Sequence, residues 1–384
     1  MSRTPGLLFI CNSLGIGGAE AHVVSLLNRL DTARFRLNLA YLKPDARLLP
    51  QLNVPRLQSV HCMEVGSRID VGAVRRLAAL IDEQQIDLLV CTNNYSMLYG
   101  FLARRRARRA VRIIEVFHTT QLHSLKERMQ SLLYRHLFAR CDLLVFVCRN
   151  QMLHWQNEGV RCRRQSVIYN GIDTDHYQDR YSPADKAALR ARFGFSADDY
   201  LIGLCASFRP EKAHGDLLET LQRLRRTIPH ARVLLIGDGA GRAQLEQRIQ
   251  ALGLRGLVGI TGFQADVRPF VSACDVMVLT SHAIETFSLS ALESMSMAKP
   301  LVLSRVGGAD EQVEEGINGY LFKPGDIETL ARHLGAMADP ALRRPMGARA
   351  REIARTRFHV TGMVTAFAAE FSSVLAAQRE QRSE

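Results

Sequence analysis

The sequence predicts an α/β protein built from two Rossmann-like domains, each an open parallel sheet covered by helices. Its 384 residues exceed one ordinary core and fit two domains. Short apolar runs alternate with amphipathic stretches of helical period in both halves, the pattern of parallel strands joined by helices. An apolar content of 47% with 23% charged residues is that of a folded globular chain and sets aside disordered classes.

In chain order, the first half offers strands at Leu7–Cys11, Leu37–Leu42, Leu88–Thr92, Val111–Phe117, Leu143–Val147 and Ser166–Tyr169. Asn170-Gly171-Ile172-Asp173 then supplies turn chemistry, which predicts domains at 1–170 and 171–358. The second half repeats the scheme with Leu201–Cys205, Val233–Ile236, Val258–Ile260, Val276–Leu279 and Pro300–Leu303, and residues 359–384 read as a last helix, clearest from Met363 to Gln378. Ligands of open α/β sheets bind beyond the carboxyl ends of strands, so a cleft is expected there and the loops after the strands are where chemistry belongs.

The net charge of +12 is concentrated: residues 1–170 hold 24 Lys and Arg against 12 Asp and Glu, and the remainder balances at 26 and 26. The densest run is Arg104, Arg105, Arg106, Arg108, Arg109 and Arg112, followed by Lys126, Arg128, Arg135 and Arg140. Such a face suits an anionic bilayer surface or a phosphorylated acceptor, and the lack of interleaved aromatics argues against nucleic acid. The alternative is a solvated face without a partner. No apolar run approaches the ~20 residues of a membrane span, and the N-terminus reads as a strand, so the expectation is a cytoplasmic protein, with the inner face of the cytoplasmic membrane as a peripheral site. The eight cysteines show no metal-ligand spacing and read as buried thiols.

Six loops carry residues able to do chemistry. Gly15-Ile16-Gly17-Gly18-Ala19-Glu20 opens a helix after the first strand, where amides and a dipole end can meet an anion. A dinucleotide fingerprint fails there, because Glu20 stands where glycine or alanine is needed and the second strand ends without an acid. His118 directly follows VRIIEVF, at the rim of the expected cleft. Arg209 and Lys212 share the loop FRPEK, a planar fork and a point charge able to neutralise a leaving diphosphate. Gly237-Asp238-Gly239 and Thr261-Gly262-Phe263 end two further strands.

The last loop is ETFSLSALE, Glu285 to Glu293. Thr286 or Ser288 can cap a helix running to about Met297, leaving the amides of Phe287, Ser288 and Leu289 for a phosphate. Eight residues span about 12 Å of helix rise, so the two carboxylates cannot share a metal but can grip two ends of an elongated ligand. Each of these features also has a structural reading as a turn, a cap or a surface pair, and only their combination points to a sugar nucleotide.

With all of them in order, the sequence resembles the retaining GT-B glycosyltransferases of family 4, also called glycosyl transferases group 1. The matching pieces are GGAE at Gly17–Glu20, VIYNGID at Val167–Asp173, FRPEK, GDG, TGF and the E-x7-E pair. The resemblance implies a final helix that returns to the N-terminal domain, an acceptor-binding N-terminal domain and a donor-binding C-terminal one. It implies that Gly17 and Gly18 lie beneath the diphosphate and acceptor, that His118 touches the transferred sugar, and that Arg209 and Lys212 stabilise the leaving group. Glu285 is then the carboxylate beside the sugar, Glu293 holds the ribose, Gly237, Thr286, Phe287 and Ser288 line the donor, and Phe263 falls where the base is held. The implied reaction moves a hexose from a UDP- or GDP-sugar to a saccharide or lipid-linked acceptor, with retention and no obligatory metal or other cofactor, in bacterial polysaccharide, lipopolysaccharide or glycolipid assembly. The alternatives are a nucleotide-sugar epimerase or hydrolase on the same architecture, or a binding protein acting through the basic face. Thr286 departs from the glycine usual after the first Glu.

Overall fold

The computed structural model describes residues 3–118, 134–283 and 285–383. The chain divides into two compact units, Met1–Asn170 with Thr361–Glu384, and Gly171–Val360. The first holds seven parallel strands: β1 (Gly6–Cys11), β2 (Arg36–Tyr41), β3 (Ser59–Cys62), β4 (Ile86–Thr92), β5 (Arg112–Phe117), β6 (Leu143–Phe146) and β7 (Gln165–Val167). They stand in the order β3-β2-β1-β4-β5-β6-β7. The second holds β8 (Tyr200–Cys205), β9 (Ala231–Ile236), β10 (Val258–Ile260), β11 (Val276–Leu279), β12 (Leu301–Ser304) and β13 (Gly319–Phe322), ordered β10-β9-β8-β11-β12-β13.

The sheets form because their central strands are apolar on both faces and helices cover both sides. GLLFIC of β1 is buried throughout, and so is VMVL of β11. Strand order reverses between β1 and β4 in one unit and between β8 and β11 in the other. At such a point the following loops diverge and leave a crevice. The Gly15–Glu20 loop follows β1, the Arg209 loop follows β8 and the Glu285 loop follows β11, so the order of strands positions the candidate residues.

Two strands escaped the sequence reading, β3 and β13, and both are sheet edges. SVHC is half-exposed and GYLF starts on a glycine, so neither carries the continuous apolar run of a central strand. The last helix, Val360–Ser383, corrects the expectation that nothing approaches a membrane span. Its first 18 residues, Val360–Ala377, have mean hydropathy 1.4 and are long and apolar enough by composition, with 39% of that stretch buried. Its apolar face is core: Phe371 lies 6.1 Å from both Phe9 and Phe35, and Arg164 meets Glu370 at 3.0 Å. Cys11, Cys91, Cys141, Cys148 and Cys274 are buried free thiols, but Cys62, Cys162 and Cys205 are partly exposed, contrary to the reading of all eight as buried.

Candidate functional site

The loop after β8 is tied to the end of β11 before any charge is considered. Thr280, one residue past β11, donates its hydroxyl to the carbonyls of Lys212 (2.9 Å) and Ala213 (3.0 Å). This brings Lys212 Nζ to 2.6 Å from Glu285 Oε2, and the Ser281 hydroxyl donates to the same oxygen at 3.2 Å. Glu285 Oε1 is left without a partner among the described residues. Arg209 shares the loop but not the pair: its side chain is 63% exposed and its guanidinium stands 4.0 Å from Glu211. Of the two predicted cations, only Lys212 is brought to the carboxylate.

The backbone of Glu285 and Thr286 is pressed against the loop after β12. Gly307 has φ +59, and a Cβ there would come 1.8 Å from the Glu285 carbonyl oxygen, so only glycine fits. The amide of Gly308 donates to the Thr286 carbonyl at 2.7 Å. Ser288, rather than Thr286, caps the helix Leu289–Ser296, its hydroxyl accepting from the Ala291 amide at 3.2 Å.

One part of the predicted amide cradle is not as expected. The Ser288 amide donates to Gln312 Oε1 at 3.3 Å, and Gln312 Nε2 returns a bond to the Ser288 carbonyl at 2.8 Å, so this amide is not open to a phosphate. Phe287 is buried 5.3 Å from the Phe358 ring, so its side chain packs the core. The amides of Leu289 and Ser290 remain without partners among the described residues.

Glu293 lies on the same helix, partly exposed. Burial pushes its carboxyl up to about 7, against a smaller opposing effect of a hydrogen bond from Tyr177. The Tyr177 phenol is in turn pushed up, first by its own burial and then by Glu293. Ser296 fixes this tyrosine by donating to its carbonyl at 2.7 Å. Phe263, 59% exposed, is a bare aromatic face after β10. Gly237 serves packing: a Cβ there would meet the Ala206 carbonyl oxygen at 2.2 Å. A cavity of about 510 Å³ is lined by Phe208, His214, Gln244 and Arg248 and touches the predicted set only at Arg209.

In the first unit, His118 directly follows β5 and its amide donates to Asn93 Oδ1 at 3.0 Å. Its ring stands 4.9 Å edge-on to His22, which is 3% exposed and 5.2 Å from Phe367. Burial holds both imidazoles down, His22 to about 4, so both are neutral at physiological pH. Gly17 precedes the helix Gly18–Arg29, and a Cβ on it would meet Glu20 Oε2 at 2.3 Å, so the chain's own carboxylate already leans over that helix start. Gly18 is exposed beside it.

The arginine run is less free than its density suggests. Arg104 and Arg112 face Asp142 at 3.9 and 2.7 Å, and Arg109 pairs with Asp87. Arg105, Arg106 and Arg108 stay exposed, too few by themselves to define a partner. Lys126 and Arg128 lie outside the described residues. Gln312, Tyr177, His22 and Asn93 were not foreseen: each reaches its partner across the fold, and no local spacing marks such a contact.

The glycosyl transferases group 1 model matches residues 185–353 and the glycosyltransferase family 4 model residues 16–176. EpsD of Bacillus subtilis, named as a glycosyltransferase, is 26% identical over 323 residues, 82% of this chain and 84% of its own. N-acetyl-alpha-D-glucosaminyl L-malate synthase of Bacillus anthracis is 25% identical over 312 residues, 80% of each. The crystal structure of Anabaena HepE in complex with UDP-glucose is similar with a TM-score of 0.82 and 26% identity, covering 96% of this chain and 99% of that one. One model on each unit, with relatives that match across both, makes a single assignment: the chain belongs to the family 4 glycosyltransferases of the GT-B fold.

Proposed function

We propose that the protein moves a hexose from a UDP-sugar to a saccharide acceptor with retention of configuration and without an obligatory metal. The observation that carries this is the Lys212–Glu285 pair at 2.6 Å, held at the switch point between β8 and β11. Breaking the bond from sugar to diphosphate puts negative charge on the departing oxygens, and fixed cations at that place lower the barrier. An ammonium has three protons, and with one turned to Glu285 two remain for phosphate oxygens. Arg209, loosely held beside Glu211, is the second cation, and the Leu289 and Ser290 amides add donors at a helix start. These groups take the part a metal would play.

Glu285 then lies beside the sugar, Glu293 receives the ribose hydroxyls and Phe263 offers its face to the base. His118, neutral, can donate to or accept from a sugar hydroxyl. Departure and attack on one face of an oxocarbenium-like centre fits this set, in which the carboxylate nearest the sugar is engaged with Lys212 rather than free to act as a nucleophile. UDP is favoured over GDP because HepE, similar over nearly the whole chain, is known in complex with UDP-glucose. A surface saccharide as acceptor draws support from the lipopolysaccharide core glycosyltransferase LpsE of Rhizobium meliloti, 33% identical over 43% of this chain.

The test is UDP release from a panel of UDP-hexoses with and without saccharide acceptors, with the product anomer read by NMR. Acceptor-dependent release is expected, with Arg209→Ala or Lys212→Ala lowering turnover by about 100-fold. Unchanged turnover in both variants removes the mechanism, and release indifferent to acceptor identifies a hydrolase instead.

A further inference from the structure

Asn93 is the first residue of the helix Asn93–Arg106, immediately after β4, and its φ is +69. Non-glycine residues seldom adopt that conformation, and asparagine is among the few that tolerate it. Strained backbone persists where its surroundings hold it. Here the Ser96 hydroxyl donates to the Asn93 carbonyl at 2.8 Å, and Ser96 is fully buried. The left-handed turn directs the carboxamide sideways, along the carboxyl edge of the sheet, instead of up the helix.

What it reaches is the backbone of His118. The β4–β5 ladder runs out at Thr92 opposite Val116, so the amide of His118 lies just past the regular pairing. Asn93 Oδ1 supplies the acceptor the ladder no longer provides, at 3.0 Å. On its β6 side the end of β5 is held by the pairing of Phe117 with Phe146 and by Gln151 Nε2, which donates to the Phe117 carbonyl at 2.7 Å. On its β4 side the Asn93 bond holds the amide from which the His118 side chain originates.

We propose that Asn93 is the positioning residue for His118, its left-handed backbone turning the carboxamide to clamp the His118 amide. This rests on the reading of His118 as a contact of the transferred sugar. Asn93→Gly keeps the backbone conformation at ease and deletes the acceptor alone, and Asn93→Asp keeps both.

The experiment compares these variants of the full chain, alone and combined with His118→Ala, by amide hydrogen exchange and by UDP-release kinetics. Asn93→Gly is expected to speed exchange at the His118 amide and to lower kcat by about 10-fold, with the donor KM within about twofold, since small misplacements near chemistry act on turnover. Asn93→Asp should keep near-normal exchange and turnover. With His118→Ala already present, Asn93→Gly should cost less than about twofold more, the non-additivity of one functional unit. Unchanged His118 exchange in Asn93→Gly overturns the clamp. An equal loss of kcat with and without His118 overturns its action through that residue. Faster exchange with full turnover in both Asn93→Gly and His118→Ala overturns the reading of His118 itself while leaving the hydrogen bond intact.

Discussion

Glu293 is a carboxyl that the empty fold holds protonated and the proposed ribose contact would use ionised. Its carboxyl is raised from 4.5 to about 7, with burial as the first cause. A folded-state value above the unfolded one means the folded protein holds the extra proton. The stability linked to this group is present below about 4.5 and lost as pH rises through about 7. Ribose hydroxyls are better received by the ionised carboxylate. UDP affinity is therefore expected to strengthen from about pH 6 to about pH 8 more steeply in the wild type than in Glu293→Gln, as titration calorimetry would read. In the variant the terminal phosphate of UDP still titrates, with its own ionisation at about pH 6. The same pH dependence in the wild type and in Glu293→Gln would remove Glu293 from the nucleotide site. The carboxylates and Lys212 were legible in the sequence because chemistry-bearing residues sat in loops after recognisable strands. Gln312 was not, since it meets Ser288 from 24 residues away and uses an amide the sequence reading had left for phosphate.

Among elements, the central strands were legible, as were the edges β7 and β10, but the edges β3 and β13 were not. A strand buried on both faces must be apolar throughout, whereas β3 and β13 mix polar residues with partial exposure. The sequence also gave no sign of how β11 is fixed. Asp275, just before it, accepts from the Leu201 amide at 2.9 Å and pairs with Arg190 at 2.9 Å and Arg343 at 3.0 Å. Those arginines come from the helices Pro183–Ala191 and Pro340–Arg357, so one carboxylate ties two helices to the strands that carry the Lys212 and Glu285 loops. Arg190 is buried and gives its remaining protons to the carbonyls of Ala197, Asp199 and Ala273. Removing the shared partner leaves buried charge uncompensated, so Asp275→Ala is expected to lower the unfolding free energy by about 3 kcal/mol. Urea denaturation checks this, and a loss under about 1 kcal/mol would mean the three-way pairing is ordinary surface chemistry.

At the scale of the whole molecule, the chain leaves its first unit at Asn170 and returns to it at Thr361, and the returning helix completes that unit's core through Phe367 and Phe371. The same apolar run that meets the length of a membrane span is thus a packed face of the fold. The positive excess, confined by sequence to residues 1–170, is not concentrated where the arginine run is densest, because Asp87 and Asp142 from other elements pair with Arg109 and Arg112, a placement that composition does not reveal. The donor-binding role assigned to the second unit predicts that a nucleoside diphosphate stabilises the protein through its second phosphate. Thermal unfolding with UDP and with UMP, in the wild type and in Lys212→Ala, reads this. At about 100 times its Kd, UDP should add about 2.7 kcal/mol of apparent stability by mass action, with UMP adding less at the same concentration and Lys212→Ala erasing the difference. Equal shifts by UDP and UMP in the wild type, or no shift by either, would contradict a diphosphate site built on Lys212 and Glu285.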